Sequence, residues 1–423
     1  MFYLPRILDR ELDELVSSLP AISIEGPKGV GKTVTAERRA DTIYRLDDPA
    51  TLEVLTADLS LVDQVAGTVL LDEWQRHPPV WDFVRRQVDR GAAAGRFLLT
   101  GSAAPEGAPV HSGAGRIVQL RMRPLSLAER GIAQHSVSLA SLLSGTRPTI
   151  AGNTSLGVRD YVDEILASGF PAIRATEGRS RRALLAGYIQ RVVERDFPDQ
   201  GLRIRRPATL RAWLDAYAAA TSTTTSYNKL LAAATPGESD KPAKTTTIAY
   251  REVLSQLWLL DPVPGWVTGR GHLSALAQAP KHHLADPALA AQLLGVDAAA
   301  LLNAEAVNPA VPRDGTLLGA LFESLVTLSM RVYAQANECS VHHLRTQNGR
   351  HEVDLIVELP DQRVVAFEVK LAATVDERTV LHLNWLKERL GDDLLDAVVI
   401  TTGTTAYRRS DGIAVVPAAL LGP

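Results

Sequence analysis

The stretch ISIEGPKGVGKTVTAERRA, residues 22–40, determines the fold predicted for the first third of this chain. Within it, residues 26–33 satisfy the pattern G-x-x-x-x-G-K-[ST], between an apolar segment typical of a buried strand and the start of a helix. Glycines there let backbone N–H groups turn toward nucleotide phosphates, and the helix N-terminus adds the positive end of its dipole. The flanking strand and helix favour a nucleotide site over a glycine-rich turn that matches by chance.

The loop and a later strand together supply the predicted ATP contacts. We expect Lys32 to reach the β- and γ-phosphates and the Thr33 hydroxyl to bind Mg²⁺. The strand that ends in LLTGSA would place Thr100 and Ser102 beside the γ-phosphate as polar sensors. The full set of predicted ATP-binding residues is Gly26, Pro27, Lys28, Gly29, Val30, Gly31, Lys32, Thr33, Thr100 and Ser102.

A second acidic motif completes the predicted hydrolytic site. The segment TVLLDE, residues 68–73, places Asp72 to support Mg²⁺, directly or through water, and Glu73 to polarise the attacking water. Together with Lys32 and Glu73, Arg116 in HSGAGR is a catalytic candidate, because a neighbouring subunit of a homo-oligomer could present it to the γ-phosphate. An ordinary surface arginine explains Arg116 equally well.

The rhythm of apolar segments predicts an α/β protein. Five segments are expected to be strands buried on both faces of a parallel sheet covered by helices. They are AISIE (21–25), TIYRL (42–46), TVLLDE (68–73), RFLLTGS (96–102) and RIVQLRM (116–122). Residues 131–207 are predicted to form a helical connector. Residues 208–285 show three short helices with Ser/Thr-rich starts and a turn, which suits a winged helix with Lys244 and Arg251 on its third helix, although a packing module fits as well.

Residues 286–423 carry a second group of chemically suggestive residues. Asp354 and the triplet Glu368-Val369-Lys370 resemble the two acids and lysine of PD-(D/E)XK nucleases, whose carboxylates hold Mg²⁺ ions against the scissile phosphate. Glu323, on the preceding predicted helix, would add a third carboxylate. We therefore treat Glu323, Asp354 and Glu368 as candidate metal ligands and Lys370 as the candidate nuclease lysine.

This assignment makes a demand on strand pairing. Asp354 lies beside Glu368 only if their hairpin closes around an odd-numbered loop, Pro360-Asp361-Gln362. A two-residue turn would place Asp354 opposite Phe367, with Glu368 on the other face.

The chain resembles a family of bacterial and archaeal AAA-type ATPases. The motifs that carry the resemblance are GPKGVGKT, LLDEWQRHP, FLLTGSA, GAGRIVQLRMRPLSLAE, SGFP and RVVERD. In that family the ATPase is joined to a C-terminal domain of unknown function with a restriction-endonuclease-like core. The resemblance implies an AAA-type P-loop domain over residues 1–130 and a nuclease-like domain over residues 286–423. It places Glu194, Arg195 and Asp196 in the helical connection, where we interpret them as a structural ion-pair cluster.

Bulk properties favour a soluble, cytoplasmic protein of two or three domains, because the chain has 423 residues and 22% of them are charged. The net charge of −3 gives no global basic field, so any contact with DNA requires a local patch. The N-terminal segment carries charges throughout, unlike a signal peptide, and the single cysteine suits a reducing compartment. No apolar run reaches the ~20 residues of a membrane span.

Two hypotheses of function follow. In the first, a Mg²⁺-dependent ATPase drives a DNA-directed, nucleolytic C-terminal domain. In the second, the protein is a nucleotide-dependent binding switch or regulator, whose nuclease-like domain is catalytically inactive and holds DNA or a protein partner.

Overall fold

The structure is a computed structural model that describes residues 3–102, 113–202, 206–234, 244–267, 278–302, 316–346 and 349–423. Its first part is a five-stranded parallel sheet with the strand order β2-β3-β4-β1-β5. In this order β1, which leads into the phosphate loop, lies next to β4, and β4 separates it from β3. The strands are β1 (Ala21–Glu25), β2 (Thr42–Arg45), β3 (Val69–Asp72), β4 (Phe97–Gly101) and β5 (Val118–Arg121).

Helices cover both faces of this sheet. The apolar side chains of β1, β3 and β4 divide between two hydrophobic clusters, one on each face. The helices in this part are α1 (Leu8–Val16), α2 (Lys32–Glu37), α3 (Pro49–Ala57), α4 (Leu61–Gln64) and α5 (Pro79–Asp89).

The five predicted strands are present, but the expectation that all are buried on both faces is wrong for two of them. Strands β1, β3 and β4 are almost wholly buried. Strands β2 and β5 form the two edges of the sheet, and Arg45, Val118 and Gln119 are exposed there. An edge strand has one neighbour, so helices cover its side chains less completely.

The middle of the chain is mainly helical, as predicted, with two short strands that periodicity did not reveal. A π-helical turn, Val192–Asp196, interrupts the helical path after α9. Ser226 caps α12 through the backbone N–H of Lys229, whereas α11 begins at Pro207 without a side-chain cap. The elements are β6 (Val137–Ser138), α6 (Leu139–Leu143), β7 (Gly152–Asn153), α7 (Val158–Ala167), α8 (Pro171–Arg174), α9 (Gly178–Arg191), α10 (Phe197–Asp199), α11 (Pro207–Ala219), α12 (Tyr227–Ala233), α13 (Lys244–Gln256), α14 (Pro287–Leu294) and α15 (Ala298–Leu302).

A narrow antiparallel ribbon follows α13 at the position of the predicted wing. Its two sides meet at the bridges Leu260–Leu284 and Val263–Lys281. Gly265 bridges in parallel to His343, so the ribbon is attached to a strand of the C-terminal sheet. Residues 268–277, between its two sides in the sequence, lie outside the described residues.

The C-terminal part contains a seven-stranded mixed sheet with the order β7-β12-β13-β11-β10-β9-β8. The apolar segments of residues 316–420 predict a helix, two strands, a helix and two strands, and these elements are present. Periodicity missed β8 and β12, and it did not predict that β7 of the connector joins this sheet. The elements are α16 (Thr316–Gln335), β8 (Ser340–Arg345), β9 (Glu352–Glu358), β10 (Val364–Lys370), α17 (Leu381–Leu390), β11 (Leu394–Thr401), β12 (Thr405–Arg408), β13 (Ala414–Pro417) and β14 (Leu421–Gly422).

One hydrophobic core runs through all parts of the chain. It begins on one face of the first sheet, continues through the middle helices and ends on one face of the C-terminal sheet. Helix α16 lies within it and packs against α7, α14, β8 and β10. Contrary to the expectation from the sequence, its stretch Leu317–Gln335 is long and apolar enough to cross a membrane by length and composition alone, but 67% of it is buried inside the protein.

Candidate nucleotide site and the C-terminal acidic cluster

The backbone of the phosphate loop requires glycine at two positions in particular. Gly26 has φ +153°, and a Cβ atom there would lie 2.1 Å from the Met122 carbonyl oxygen. Gly31 has φ +104° and forms the left-handed N-cap of α2. The loop therefore turns closely past the end of β5, where Met122 N–H donates to the Glu25 carbonyl at 2.7 Å.

Lys32 lies inside the loop that it is predicted to serve. Its Nζ donates to the carbonyl oxygens of Gly26 at 2.9 Å and Pro27 at 3.1 Å. Burial lowers the pKa of Lys32 to about 8, although the carboxylates of Glu73 and Asp72 oppose the shift. The ammonium group is thus desolvated and held by neutral carbonyls, which an anionic phosphate can outcompete.

Thr33, Asp72 and Thr100 form one hydrogen-bonded group. The Thr33 hydroxyl donates to Asp72 Oδ1 at 2.8 Å, and the Thr100 hydroxyl donates to the same oxygen. Thr33 and Asp72 therefore present neighbouring oxygen atoms, the ligand type that Mg²⁺ prefers. The residues fit the metal ion predicted for this site.

Glu73 follows directly and has an unusual backbone. Its φ of 56° lies in the left-handed region, which is uncommon for a residue other than glycine. The Glu73 N–H donates to Thr100 Oγ1 at 3.3 Å, and Gln75 Nε2 donates to the Glu73 carboxylate. Gln75 also donates to Ser102 Oγ at 3.2 Å, so both predicted sensor residues are connected to the acidic motif. The sequence motif did not identify Gln75 as a positioning residue.

Arg6 supports the loop from outside. Its guanidinium donates to the Val30 carbonyl at 2.8 Å and to the Arg123 carbonyl at 2.6 Å, and it pairs with Glu129 at 2.9 Å. Arg6 belongs to no recognisable motif, and its partners lie up to 123 positions away, so no sequence signal pointed to it.

Lys28 connects the loop to the middle of the chain. Its Nζ lies 2.6 Å from Asp196 Oδ1, and the Tyr188 hydroxyl donates to the Lys28 carbonyl at 3.2 Å. Glu194, by contrast, accepts a hydrogen bond from Gln190 at the surface. Of the expected ion-pair cluster, Asp196 forms an ion pair, but with Lys28 of the phosphate loop, whereas Glu194 bonds to Gln190.

Arg116 is on the surface in this single chain. Its Nε lies 2.9 Å from Asp89 Oδ1, and the side chain is 47% exposed. The intersubunit role stays a prediction.

A buried carboxylate joins three parts of the molecule. Asp261, at the start of the ribbon, pairs with Arg121 at 3.0 Å, with Arg123 at 2.8 Å and with Arg331 of α16. Burial alone would raise the pKa of Asp261, but the three guanidinium groups lower it well below its usual range. Nearby, Leu127 N–H donates to Ser329 Oγ at 3.0 Å. Helix α16 is therefore fixed to the end of β5.

The strand pairing demanded for the C-terminal acids is confirmed. Strands β9 and β10 pair as Glu358–Val364 through Leu355–Phe367, a register that sets Asp354 opposite Glu368 when extended by one residue. Leu359 N–H donates to the Arg363 carbonyl at 2.9 Å, so Pro360-Asp361-Gln362 is the closing loop.

A lysine that the sequence reasoning missed lies among these acids. The Nζ of Lys281 is 2.8 Å from Glu323 Oε1, 3.0 Å from Asp354 Oδ1 and 3.8 Å from Glu352 Oε1. Burial and the charge of Asp354 raise the pKa of Glu323 to about 8. Burial would lower the pKa of Lys281, but the charges of Asp354 and Glu323 raise it. The Lys281 side chain is 1% exposed.

The remaining members of the predicted nuclease site pair with each other. Lys370 Nζ lies 2.6 Å from Glu368 Oε1, while Glu368 Oε2 has no hydrogen-bond partner in the described part of the chain. Burial and the charge of Asp354 raise the pKa of Glu368 to about 8. Among the described residues no group of three or more His, Cys, Asp or Glu side chains is arranged to hold a metal ion. The arrangement thus differs from the expected metal site, because Lys281 Nζ takes the position between Glu323 and Asp354.

Comparison with known proteins agrees with the first part of the fold. Residues 18–130 match the family model described as an AAA domain. This match and the loop geometry together define a P-loop nucleotide-binding domain of AAA type. Residues 158–300 and 318–421 match models described as domains of unknown function, DUF8612 and DUF4143. Neither description states an activity, so the nuclease likeness stays a prediction.

Similar proteins are found among both sequences and structures. An uncharacterised protein of Mycobacterium tuberculosis and one of Mycobacterium bovis are each 25% identical over 405 residues, 94% of this chain and 80% of theirs. The Walker-type ATPase PABY2304 of Pyrococcus abyssi aligns over 67% of this chain and 94% of its own, with 14% identity and a TM-score of 0.35. The ORC2 protein of Aeropyrum pernix, in complexes with ADPNP and ADP, aligns over 68% and 90%, with 15% identity and a TM-score of 0.30. These TM-scores are too low for the arrangement of parts to be compared.

Proposed function

We propose that the protein hydrolyses ATP and that the hydrolytic cycle controls what its C-terminal part binds. The observation that carries the proposal is the group formed by Thr33, Asp72 and Thr100, with Glu73 adjoining it at the mouth of the phosphate loop. These residues bring together a metal-binding hydroxyl, a metal-supporting carboxylate and a second carboxylate for water.

The residues divide the chemistry among them. Lys32 binds the β- and γ-phosphates after releasing the carbonyls of Gly26 and Pro27. Thr33 and Asp72 would hold Mg²⁺, which neutralises charge on the phosphates when bound. Glu73 accepts a proton from, or orients, the attacking water, and Thr100 fixes the spacing of the two acids.

The contacts of the loop support coupling to the rest of the chain. Arg6 links the Val30 carbonyl to the Arg123 carbonyl, and the Arg123 side chain binds Asp261 of the ribbon. A shift of the loop on nucleotide binding would thus be transmitted to Asp261, where β5, the ribbon and α16 meet. We propose this junction as the route between ATP and the C-terminal sheet.

Steady-state ATPase assays of Lys32→Ala and Glu73→Gln test the hydrolytic proposal. We expect both to lose at least about a hundredfold in turnover, because each removes a charged group that acts on the transferring phosphoryl group or on water. Glu53→Gln, which changes an exposed residue of α3, serves as the control. Turnover in both variants equal to that of the control contradicts the proposal.

The partner of the C-terminal part is the second question. The base of the ribbon and the third short helix suit a nucleic-acid module, but Arg251 stacks on the Tyr227 ring at 3.8 Å rather than standing free. We favour the binding-switch hypothesis over DNA cleavage, in a cytoplasmic setting, because Lys281 Nζ lies between the carboxylates of Glu323 and Asp354 that metal-dependent cleavage would need. Salt-dependent binding of short duplexes distinguishes DNA from a protein partner.

A further inference from the structure

The position of Lys281 is fixed by backbone pairing as well as by its side chain. Lys281 and Val263 exchange both backbone hydrogen bonds at 2.9 Å. The next residue, His282, donates its N–H to the Thr223 carbonyl at 2.9 Å, and the His283 carbonyl accepts from Asp261 N–H at 2.9 Å. Three consecutive residues of this segment are therefore fixed by backbone hydrogen bonds. The Lys281 side chain extends from them into the acidic cluster and lacks the freedom of a surface lysine.

The ammonium group occupies the place that a divalent cation would need. It is within hydrogen-bonding distance of two carboxylates from different elements, Glu323 of α16 and Asp354 of β9, with Glu352 at 3.8 Å. The second oxygen of Asp354 accepts from Val369 N–H at 2.9 Å, so both of its oxygens are engaged. A metal ion could bind these carboxylates only by displacing a buried ammonium, which would then be left without a counter-charge.

We infer that Lys281 is a built-in cation that replaces the metal ion of the C-terminal acidic cluster. The cluster then serves to hold the ribbon on the C-terminal sheet, and that sheet acts by binding rather than by metal-dependent cleavage. Glu368 pairs separately with Lys370 at 2.6 Å, so a lysine ammonium also lies beside the other predicted ligand. This inference concerns the C-terminal part alone and does not depend on ATP hydrolysis.

The first test measures the binding of Mn²⁺ to the nucleotide-free full-length protein, by calorimetry or by the loss of the EPR signal of the free ion. We expect the wild-type protein and Asp354→Asn to bind the same number of Mn²⁺ ions. Asp72→Asn provides the control for any ion held weakly at the phosphate loop. A wild-type Mn²⁺ site that Asp354→Asn abolishes and Asp72→Asn leaves intact overturns the inference.

A charge-balance experiment tests the same idea without metal. Lys281→Met leaves Glu323 and Asp354 facing each other, so we expect a lower unfolding midpoint in urea. Adding Glu323→Gln to Lys281→Met should recover part of that loss, because one of the uncompensated carboxylates is removed. If the double variant is no more stable than Lys281→Met, Lys281 is not the counter-ion of these acids. Should Lys281→Met fail to fold, the Mn²⁺ comparison of wild type and Asp354→Asn still decides.

Discussion

Lys28 of the phosphate loop and Asp196 of the π-helical turn form an ion pair with 2.6 Å between Nζ and Oδ1. The carboxylate is buried while the lysine side chain is 31% exposed, so the two partners depend on the pair unequally. Because π-helical turns often occur at functional sites, we expect this ion pair to link the nucleotide site to the middle helices.

The unequal burial predicts unequal effects of mutation. Lys28→Met leaves a buried carboxylate without its cation and should reduce the free energy of unfolding by about 1 to 3 kcal/mol, less than for a fully buried pair. Asp196→Asn should cost less, because water can solvate the freed ammonium. Urea denaturation measures both. Equal losses, or a larger loss in Asp196→Asn, would show that the pair is not organised in this way.

The hydrogen bonds of Thr100 to Asp72 and Glu73 lead us to expect that it positions these acids, in addition to the contact with the γ-phosphate predicted from the sequence. Thr100→Val removes the hydroxyl that donates to Asp72 and accepts from Glu73 N–H. We expect kcat to fall about tenfold, the equivalent of one misplaced hydrogen bond, with little change in KM for ATP. Thr100→Ser, which keeps the hydroxyl, should restore kcat. A change confined to KM would assign Thr100 to nucleotide binding instead.

The pKa of Lys32, lowered by burial to about 8, predicts a proton linkage. The triphosphate favours the charged lysine, so binding at pH 8 should take up about half a proton at this group. Calorimetry in two buffers with different ionisation enthalpies measures the uptake. Lys32→Arg, which stays charged, is the control, and equal uptake by both proteins would remove Lys32 as its source.

Asp261 should be among the more sensitive positions for stability. Asp261→Asn leaves the guanidinium groups of Arg121, Arg123 and Arg331 without their shared anion, and we expect a loss of about 3 to 5 kcal/mol. The matched control is Asp215→Asn, which breaks a half-exposed pair with Arg211 on α11 and should change stability by less than about 1 kcal/mol. Similar losses in the two variants would contradict the proposed junction.

The raised pKa of Glu368 predicts that this residue destabilises the folded protein increasingly as the pH rises. Its pKa is raised from 4.5 to about 8 in the folded protein, so between these values the unfolded chain loses the proton while the folded chain retains it. Folding is therefore progressively disfavoured from pH 4.5 to about 8. Glu368→Gln should gain stability relative to the wild type on going from pH 5 to pH 8, as measured by urea unfolding. Exposed Glu388→Gln should show no such trend.

The sequence was most informative where one short segment contains the whole signal. The phosphate loop needs only residues 26–33, and short apolar segments between helical stretches predicted the strands of the first sheet. For Asp354 and Glu368 the sequence supplied the condition, an odd-numbered loop, and the strand register of the structure meets it.

The interactions that sequence did not predict join distant segments. Lys281 meets Asp354 from 73 positions away, and Arg123 meets Asp261 from 138. Periodicity tells which face of an element is apolar, but not which other element that face meets. In the sequence Lys281 stands beside His282 and His283, and a surface position explains such a polar segment equally well from sequence alone.

The C-terminal sheet is completed by residues from far upstream. Asn153 of β7 pairs with Thr405 of β12, and in a separate two-stranded sheet Val137 of β6 pairs with Leu421 of β14. A fragment limited to residues 286–423 would therefore expose the unprotected side of β12 and lose the short strand that covers it. Exposed strand edges invite pairing with other chains, so such a fragment should self-associate on expression, and soluble work on this region requires the upstream residues as well.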